Sequence, residues 1–145
     1  MLNALVSATY NTDSPFARNL ASNYGEQIVV PLLKLASNDS PGSRVTALGM
    51  MTNVISKNPQ LSTPSKNTLK AAFRTAVGDK QGEVRRLAVH ALSDHGDASD
   101  LPRLQQLANA DGATMQATRG GPVRYPVREE AQKAMAAIRQ RQSGR

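Results

Sequence analysis

Length, composition and charge already exclude several classes of protein. The chain has 145 residues, a length typical of one domain, and carries a net charge of +7. It has no cysteine, which excludes a disulfide framework and any cysteine-ligated zinc or iron–sulfur site. No apolar run approaches the ~18 residues of a membrane span, and the N-terminal residues lack the basic segment of a signal peptide. We therefore expect a single cytoplasmic domain, 1–145, that does not enter membranes.

The positive charge is distributed unevenly along the chain. Residues 40–78 contain five basic and no acidic side chains. Residues 79–118 contain four basic and six acidic side chains, whereas residues 119–145 contain seven basic and two acidic ones. Two basic regions thus flank a mildly acidic one, and we expect them to attract an anionic partner.

The first half of the chain is predicted to contain three helices. Ser14 can cap the first, which ends at Gly25. Residues 26–37 form the second, and the turn-forming cluster 38–42 separates it from a third at 43–56. The third helix is apolar around most of its circumference, so it should pack on more than one side.

Proline and glycine mark the boundaries of the later helices. Thr63 can cap a helix that ends at Gly78, with apolar residues at the i, i+3, i+4, i+7 and i+8 positions of an amphipathic stripe. The next two helices begin near Gly82 and Ser99, and the last begins at Pro126. The sequence therefore predicts an all-α protein.

Three segments do not fit these helices. Residues 1–13 are predicted to be a short N-terminal cap or half of a repeat. Residues 110–124 are rich in Gly, Ala and Thr and form an inserted loop, which is either a recognition element or disordered. Residues 141–145 are predicted to be a frayed tail.

One sequence motif recurs at the start of four helical segments. An Arg is followed three residues later by Ala and three further on by another residue on the same side of the helix. The four copies are Arg18-Ala21-Tyr24, Arg44-Ala47-Met50, Arg85-Ala88-Ala91 and Arg128-Ala131-Ala134. Such recurrence predicts a stacked helical repeat.

The third copy carries a resemblance to a known family. Residues 84–92, the following Gly96-Asp97 and residues 101–107 resemble a HEAT-like repeat of the short bacterial type, and residues 127–135 resemble the first helix of the next repeat. The resemblance implies a right-handed α-α superhelix, or solenoid, of about three and a half helical hairpins. It also implies that Arg85, Arg128 and Asp97 make structural contacts between repeats.

The residues with catalytic potential do not form a recognisable site. His90 and His95 are five positions apart on one helix, whereas a helical metal pair needs a spacing of three or four. Some proteins with HEAT-like repeats are bilin lyases or DNA glycosylases, but this chain has no Trp, and a glycosylase would need aromatic residues along a basic channel. We expect a non-catalytic protein without cofactor or metal.

A basic stripe is the strongest candidate for a binding surface. Lys66, Lys70 and Arg74 recur at i, i+4 and i+8, and we expect them opposite the side that carries Leu69 and Phe73. In a HEAT-like solenoid the second helix of each hairpin lines the concave surface. The corresponding helices would add Lys34 and Arg103 to the same groove. The same spacing also occurs on solvated helix faces.

The inserted loop supplies a second set of candidates, namely Arg119, Arg124 and Tyr125, with Met115 beside them. The preferred interpretation is a scaffold that binds an acidic patch of a protein partner through a preformed basic surface. Nucleic-acid binding through the same stripe and residues 119–145 is the alternative. An enzyme subunit that is active only in a complex is the third, and the oligomeric state stays open.

Overall fold

The computed structural model describes residues 24–144. Within them the regular structure consists of six α-helices and two short 3-10 helices, and the chain divides into two compact units, Met1–Thr75 and Ala76–Arg145. The all-α prediction is confirmed for this part of the chain. Three predictions lie outside the described residues: the cap at 1–13, the helix from Ser14 and the motif copy at Arg18.

The first unit contains three helices. A 3-10 helix, Gly25–Ile28, leads directly into α1 (Val29–Ala36). Helix α2 (Pro41–Lys57) packs against α1, and α3 (Thr63–Ala76) follows. The side chains with no exposed surface in this unit include one aromatic ring and five aliphatic or thioether side chains: Phe73, Ile28, Leu32, Met50, Met51 and Leu69.

Two helix starts differ from the expected ones. Helix α2 begins at Pro41 instead of residue 43, because proline at the first helical position lacks only a donor that would have no partner there. Helix α3 begins at Thr63, but its cap is Ser62. The Ser62 hydroxyl accepts from the Ser65 amide at 3.2 Å.

The second unit is a three-helix cluster. Helix α4 (Gly82–His95) is followed by a 3-10 helix, Ala98–Asp100, and by α5 (Leu101–Ala110). Helix α6 (Pro126–Ser143) packs against both α4 and α5. Its apolar stripe is buried as predicted, and the buried residues are Val127, Ala131, Ala134, Met135 and Ile138.

Gly96 allows α6 to approach the end of α4. A Cβ atom at this position would lie 2.5 Å from the Leu92 carbonyl oxygen and 3.3 Å from Cδ1 of Ile138. The closest contact is with the α4 main chain, so glycine is required where the chain passes the end of α4, with Ile138 of α6 beside it.

The Arg44 side chain fastens the turn before α2. Arg44 is buried, and its Nη1 donates to the carbonyl oxygens of Asn38 and Asp39, each at 2.9 Å. The amide of Ser40 donates to Oδ1 of Asn38. The arginine therefore closes the turn from inside instead of facing solvent.

The Arg85 side chain fastens the turn before α4 in the same way. Its Nη1 donates to the carbonyl oxygens of Asp79 and Lys80, again six and five residues earlier, at 2.8 and 3.2 Å. The amide of Gln81 donates to Oδ1 of Asp79. The second and third copies of the recurring motif, at Arg44 and Arg85, thus share one local geometry. The HEAT-like superhelix itself stays a prediction.

Helix α6 continues to Ser143, past the point at which residues 141–145 were expected to fray. Arg141 Nη2 donates to the Gly96 carbonyl oxygen at 3.1 Å, and Nη1 donates to that of Ser93. These bonds hold the last turn of α6 against the end of α4 and satisfy carbonyl groups left over at the α4 terminus. In the part of the chain that the structure describes, no helix is long and apolar enough to cross a membrane.

Candidate functional site

Helix α3 carries the three predicted basic side chains, which we call the α3 basic surface: Lys66, Lys70 and Arg74. The expectation that they lie opposite Leu69 and Phe73 is wrong. Lys66 and Lys70 are half-buried, and only Arg74 is exposed. Each four-residue step turns about 40° around a helix, so the stripe begins beside the buried side and moves obliquely into solvent.

Lys66 shows why a basic residue can occupy the border of the core. Its Nζ donates to the Pro59 carbonyl oxygen at 2.8 Å, while the side chain is half-buried. The aliphatic stem covers apolar surface and the ammonium group stays at the rim. Binding of an anion at this end of α3 would use a charge that is already held in position.

A carboxylate from the start of the unit lies at the N-terminus of α3. Glu26 accepts hydrogen bonds from the Ser62 amide and from the Ser65 hydroxyl. The Ser65 hydroxyl, followed by the Ser62 amide, lowers the pKa of Glu26 from its ordinary value. An anion is thus already bound where the helix dipole is positive, one residue before Lys66.

In the second unit, Asp111 and Arg85 form a two-point ion pair. Arg85 Nε lies 2.6 Å from Oδ2, and Nη2 lies 2.9 Å from Oδ1. The two side chains are 16% and 4% exposed for Arg85 and Asp111. Oδ1 of Asp111 also accepts a hydrogen bond from the Ala113 amide, and the main-chain oxygen of Asp111 accepts one from Arg128 Nε at 2.6 Å. Arg85 and Arg128 therefore both make structural contacts with Asp111, whereas their expected role between HEAT-like repeats stays a prediction.

The surroundings of Asp111 act on its acidity in opposite directions. Burial raises the pKa of the carboxyl group, but the hydrogen bonds from Arg85 and the Ala113 amide and the charges of Arg85 and Arg128 lower it more. The pKa of Asp111 is therefore below its ordinary value, and the ion pair is complete at neutral pH.

The segment predicted as an inserted loop folds back on itself. Met115 and Arg124 exchange both main-chain hydrogen bonds, at 3.0 and 2.9 Å. The turn between them has Gly120 at a φ of 81°, which glycine adopts without strain. Arg119, one of the predicted contact residues, is exposed beside that turn.

The other two loop candidates are already engaged within the chain. Arg124 forms an ion pair with Glu129 on the first turn of α6, with Nε 3.2 Å from Oε1. The Arg124 hydrogen bonds lower the pKa of Glu129. Tyr125 has the Arg128 guanidinium 4.1 Å from its ring centroid, a cation–π arrangement. Both residues therefore anchor the loop to α6.

Arg103 borders a shallow cleft of about 400 Å³ in the second unit, together with Gln106, Arg85 and Asp111. Arg103 Nη1 donates to Oε1 of Gln106 at 3.0 Å. Two aspartates, Asp79 and Asp111, balance the two arginines of this cleft, so it has no excess of positive charge.

Lys34 is exposed on α1 in the first unit, whereas Arg103 belongs to the second. The common groove of five side chains therefore stays a prediction. His90 contacts Glu130 through Nδ1 and Oε1 at 2.8 Å, which gives this histidine a partner on α6. Among residues 24–144 no cluster of His, Cys, Asp and Glu could hold a metal ion.

Sequence patterns did not reveal the contacts of Asp111 and Glu26. Asp111 is 26 residues from Arg85, and Glu26 is 36 residues from Ser62. Neither pair has a spacing that a periodicity can detect. The only sequence signal for the Arg85 contact was the recurrence of the Arg at the start of the helices.

Comparison with family models, curated proteins and solved structures finds no match to this chain.

Proposed function

We propose that the protein is a non-catalytic binding module that uses the α3 basic surface to bind an acidic segment of a protein partner. The observation that carries the proposal is the charge of α3. Lys66, Lys70 and Arg74 lie on one helix, and residues 40–78 contain five basic and no acidic side chains.

The surface is preformed, which favours binding. Leu69 and Phe73 have no exposed surface and anchor α3, and Lys66 is held by its contact with Pro59. A partner therefore loses little affinity to the ordering of this helix. In the proposed HEAT-like arrangement, Lys34 and Arg103 extend the surface along a concave groove.

Charge reversal tests this assignment. We expect the triple variant K66E/K70E/R74E to bind a fluorescently labelled poly-glutamate peptide at least about tenfold more weakly than the natural sequence at low salt, because attraction becomes repulsion. Fluorescence anisotropy measures the affinity, and circular dichroism checks that the helices remain.

The matched control places the same charge change on the second unit. Lys80, Lys133 and Arg139 are exposed, and the variant K80E/K133E/R139E alters the net charge equally. We expect less than about a threefold loss for this variant. Equal losses in the two variants would show a diffuse charge effect and contradict a specific α3 surface.

Nucleic-acid binding is the second candidate, favoured by the end of the second unit. Residues 119–145 contain seven basic and two acidic side chains, and both acids have intramolecular partners, since Glu129 pairs with Arg124 and Glu130 with His90. Lys133 and Arg139 are exposed on α6. These two side chains could contact phosphates of a nucleic acid.

A salt titration with single-stranded and double-stranded DNA tests this candidate. If three phosphates are neutralised, log affinity for a single strand should fall with log salt with a slope of about −2. The variant K80E/K133E/R139E should then lose binding, whereas K66E/K70E/R74E should keep more of it. No association at low salt would eliminate the candidate.

A further inference from the structure

We infer that the cleft of the second unit binds a small zwitterion of the α-amino acid class, with the ligand carboxylate on Arg103 and its ammonium group toward Asp79. The cleft has a volume of about 400 Å³, which is within the range of small-molecule sites. All of its lining residues belong to the second unit. The site is separate from the α3 basic surface, so the inference does not depend on the proposed function.

The most buried charges of the cleft neutralise each other. Arg85 and Asp111 form their two-point ion pair there, and Arg85 also donates to the carbonyl oxygens of Asp79 and Lys80. A ligand therefore meets this pair as a fixed dipole without net charge. It does not have to break the pair in order to bind.

The guanidinium of Arg103 is the cation that a ligand can reach. Arg103 is exposed on α5, its Nη1 donates to Oε1 of Gln106, and no carboxylate among residues 24–144 pairs with it. Its Nε and Nη2 groups remain as two parallel donors, the arrangement that fits a carboxylate. Gln106 uses its oxygen in the contact with Arg103, so its amide nitrogen can add a further donor.

Asp79 is the second charge that a ligand meets. It lies in the turn before α4 and lines the same cleft, where its Oδ1 accepts a hydrogen bond from the Gln81 amide. A carboxylate has about four acceptor positions, so this contact does not prevent it from attracting an ammonium group. Asp79 would repel a simple anion, and Arg103 would repel a simple cation. A zwitterion interacts favourably with both.

The same cleft offers apolar surface. Leu107 and Ala110 line it from α5, the helix that carries Arg103. A short aliphatic side chain on the ligand would bury apolar area against them. Leucine combines such a side chain with the two charged groups and is therefore the probe of choice.

Three ligands that differ in one charged group test the inference. Leucine has both groups, isocaproate lacks the ammonium group, and isoamylamine lacks the carboxylate. In nitrogen–proton correlation spectra with up to about 20 mM ligand, we expect leucine to shift the amides of Asp79 and Gly112. Isocaproate and isoamylamine should each bind at least about tenfold more weakly, because each loses one charged contact.

Two variants locate the ligand in the cleft. Arg103→Gln should weaken leucine binding about tenfold, whereas Arg119→Gln, which changes an exposed arginine outside the cleft lining, should change it less than about twofold. Gly112→Leu fills the cleft. A Cβ atom at Gly112 would have no protein atom within 4 Å, so we expect loss of leucine binding with an unchanged circular dichroism spectrum.

Each alternative outcome would overturn the inference. These outcomes are the absence of leucine-dependent shifts in the natural sequence, equal affinity for leucine and isocaproate, and equal losses in Arg103→Gln and Arg119→Gln. Unchanged leucine binding by folded Gly112→Leu would place the ligand outside the cleft. Because α3 takes no part in this site, failure of the poly-glutamate peptide to bind would count against the proposed function alone.

Discussion

Asp111 is the residue on which the local order of the second unit depends most. Its carboxylate accepts hydrogen bonds from Arg85 and from the Ala113 amide, and its main-chain oxygen accepts one from Arg128. Helices α4 and α6 and the loop before α6 therefore meet at one side chain and its main chain. Loss of its charge would leave the largely buried Arg85 guanidinium without its anion.

We expect Asp111→Asn to lower the free energy of unfolding by about 2–3 kcal/mol at pH 7, somewhat less than for a fully buried pair, because Arg85 keeps its two carbonyl acceptors. Urea unfolding measures the loss. Asp94→Asn, an exposed change on α4, should stay within about 0.5 kcal/mol.

The pH dependence of this difference has a definite sign. The pKa of Asp111 is lowered in the folded protein, so its stabilising contribution is present above the unfolded pKa and disappears as pH falls through the folded value. The two proteins should therefore converge in stability below about pH 4. A constant difference from pH 7 to pH 2 would contradict the ion pair.

At the scale of helices, Gly96 lies where the end of α4 meets α6 and leaves no room for a side chain. We expect Gly96→Ala to destabilise the protein by about 1–3 kcal/mol, because the added methyl group meets the Leu92 carbonyl and Ile138. Urea denaturation gives the value. Gly112→Ala is the control: no atom lies within 4 Å of the added carbon, so stability should be equal or slightly higher.

The helices could be predicted from the sequence because proline and glycine mark their ends. Pro126 opens α6, Gly96 follows α4, and the buried stripe of α6 matches its apolar spacing. The exact α2 start was missed, since Pro41 reads equally well as turn or as first helical residue. Local patterns thus predict helix existence better than helix ends.

The candidate site was predicted less completely. The spacing of Lys66, Lys70 and Arg74 correctly places them on one helix. It does not predict that Lys66 and Lys70 are half-buried while Arg74 is exposed, because burial depends on what α3 packs against. Arg124 and Tyr125 look available in the sequence. Their partners Glu129 and Arg128 lie only five and three residues further along, at the start of α6, so these local pairs could have been read from the sequence.

At the scale of the whole molecule, two basic segments and two compact units offer two places where an anionic partner could bind. The first is the α3 basic surface. The second is the exposed side of α6, where Lys133 and Arg139 lie. The two places belong to different compact units, so charge reversals at each can be compared within one protein.

Mapping of the bound peptide by NMR is the most direct test of the central claim. In a nitrogen–proton correlation spectrum, titration with the poly-glutamate peptide should shift the amides of residues 62–74 more than those of the second unit. These shifts should diminish when salt is raised from about 50 to 200 mM. Shifts confined to residues 119–143, or no shifts at low salt, would contradict binding through α3.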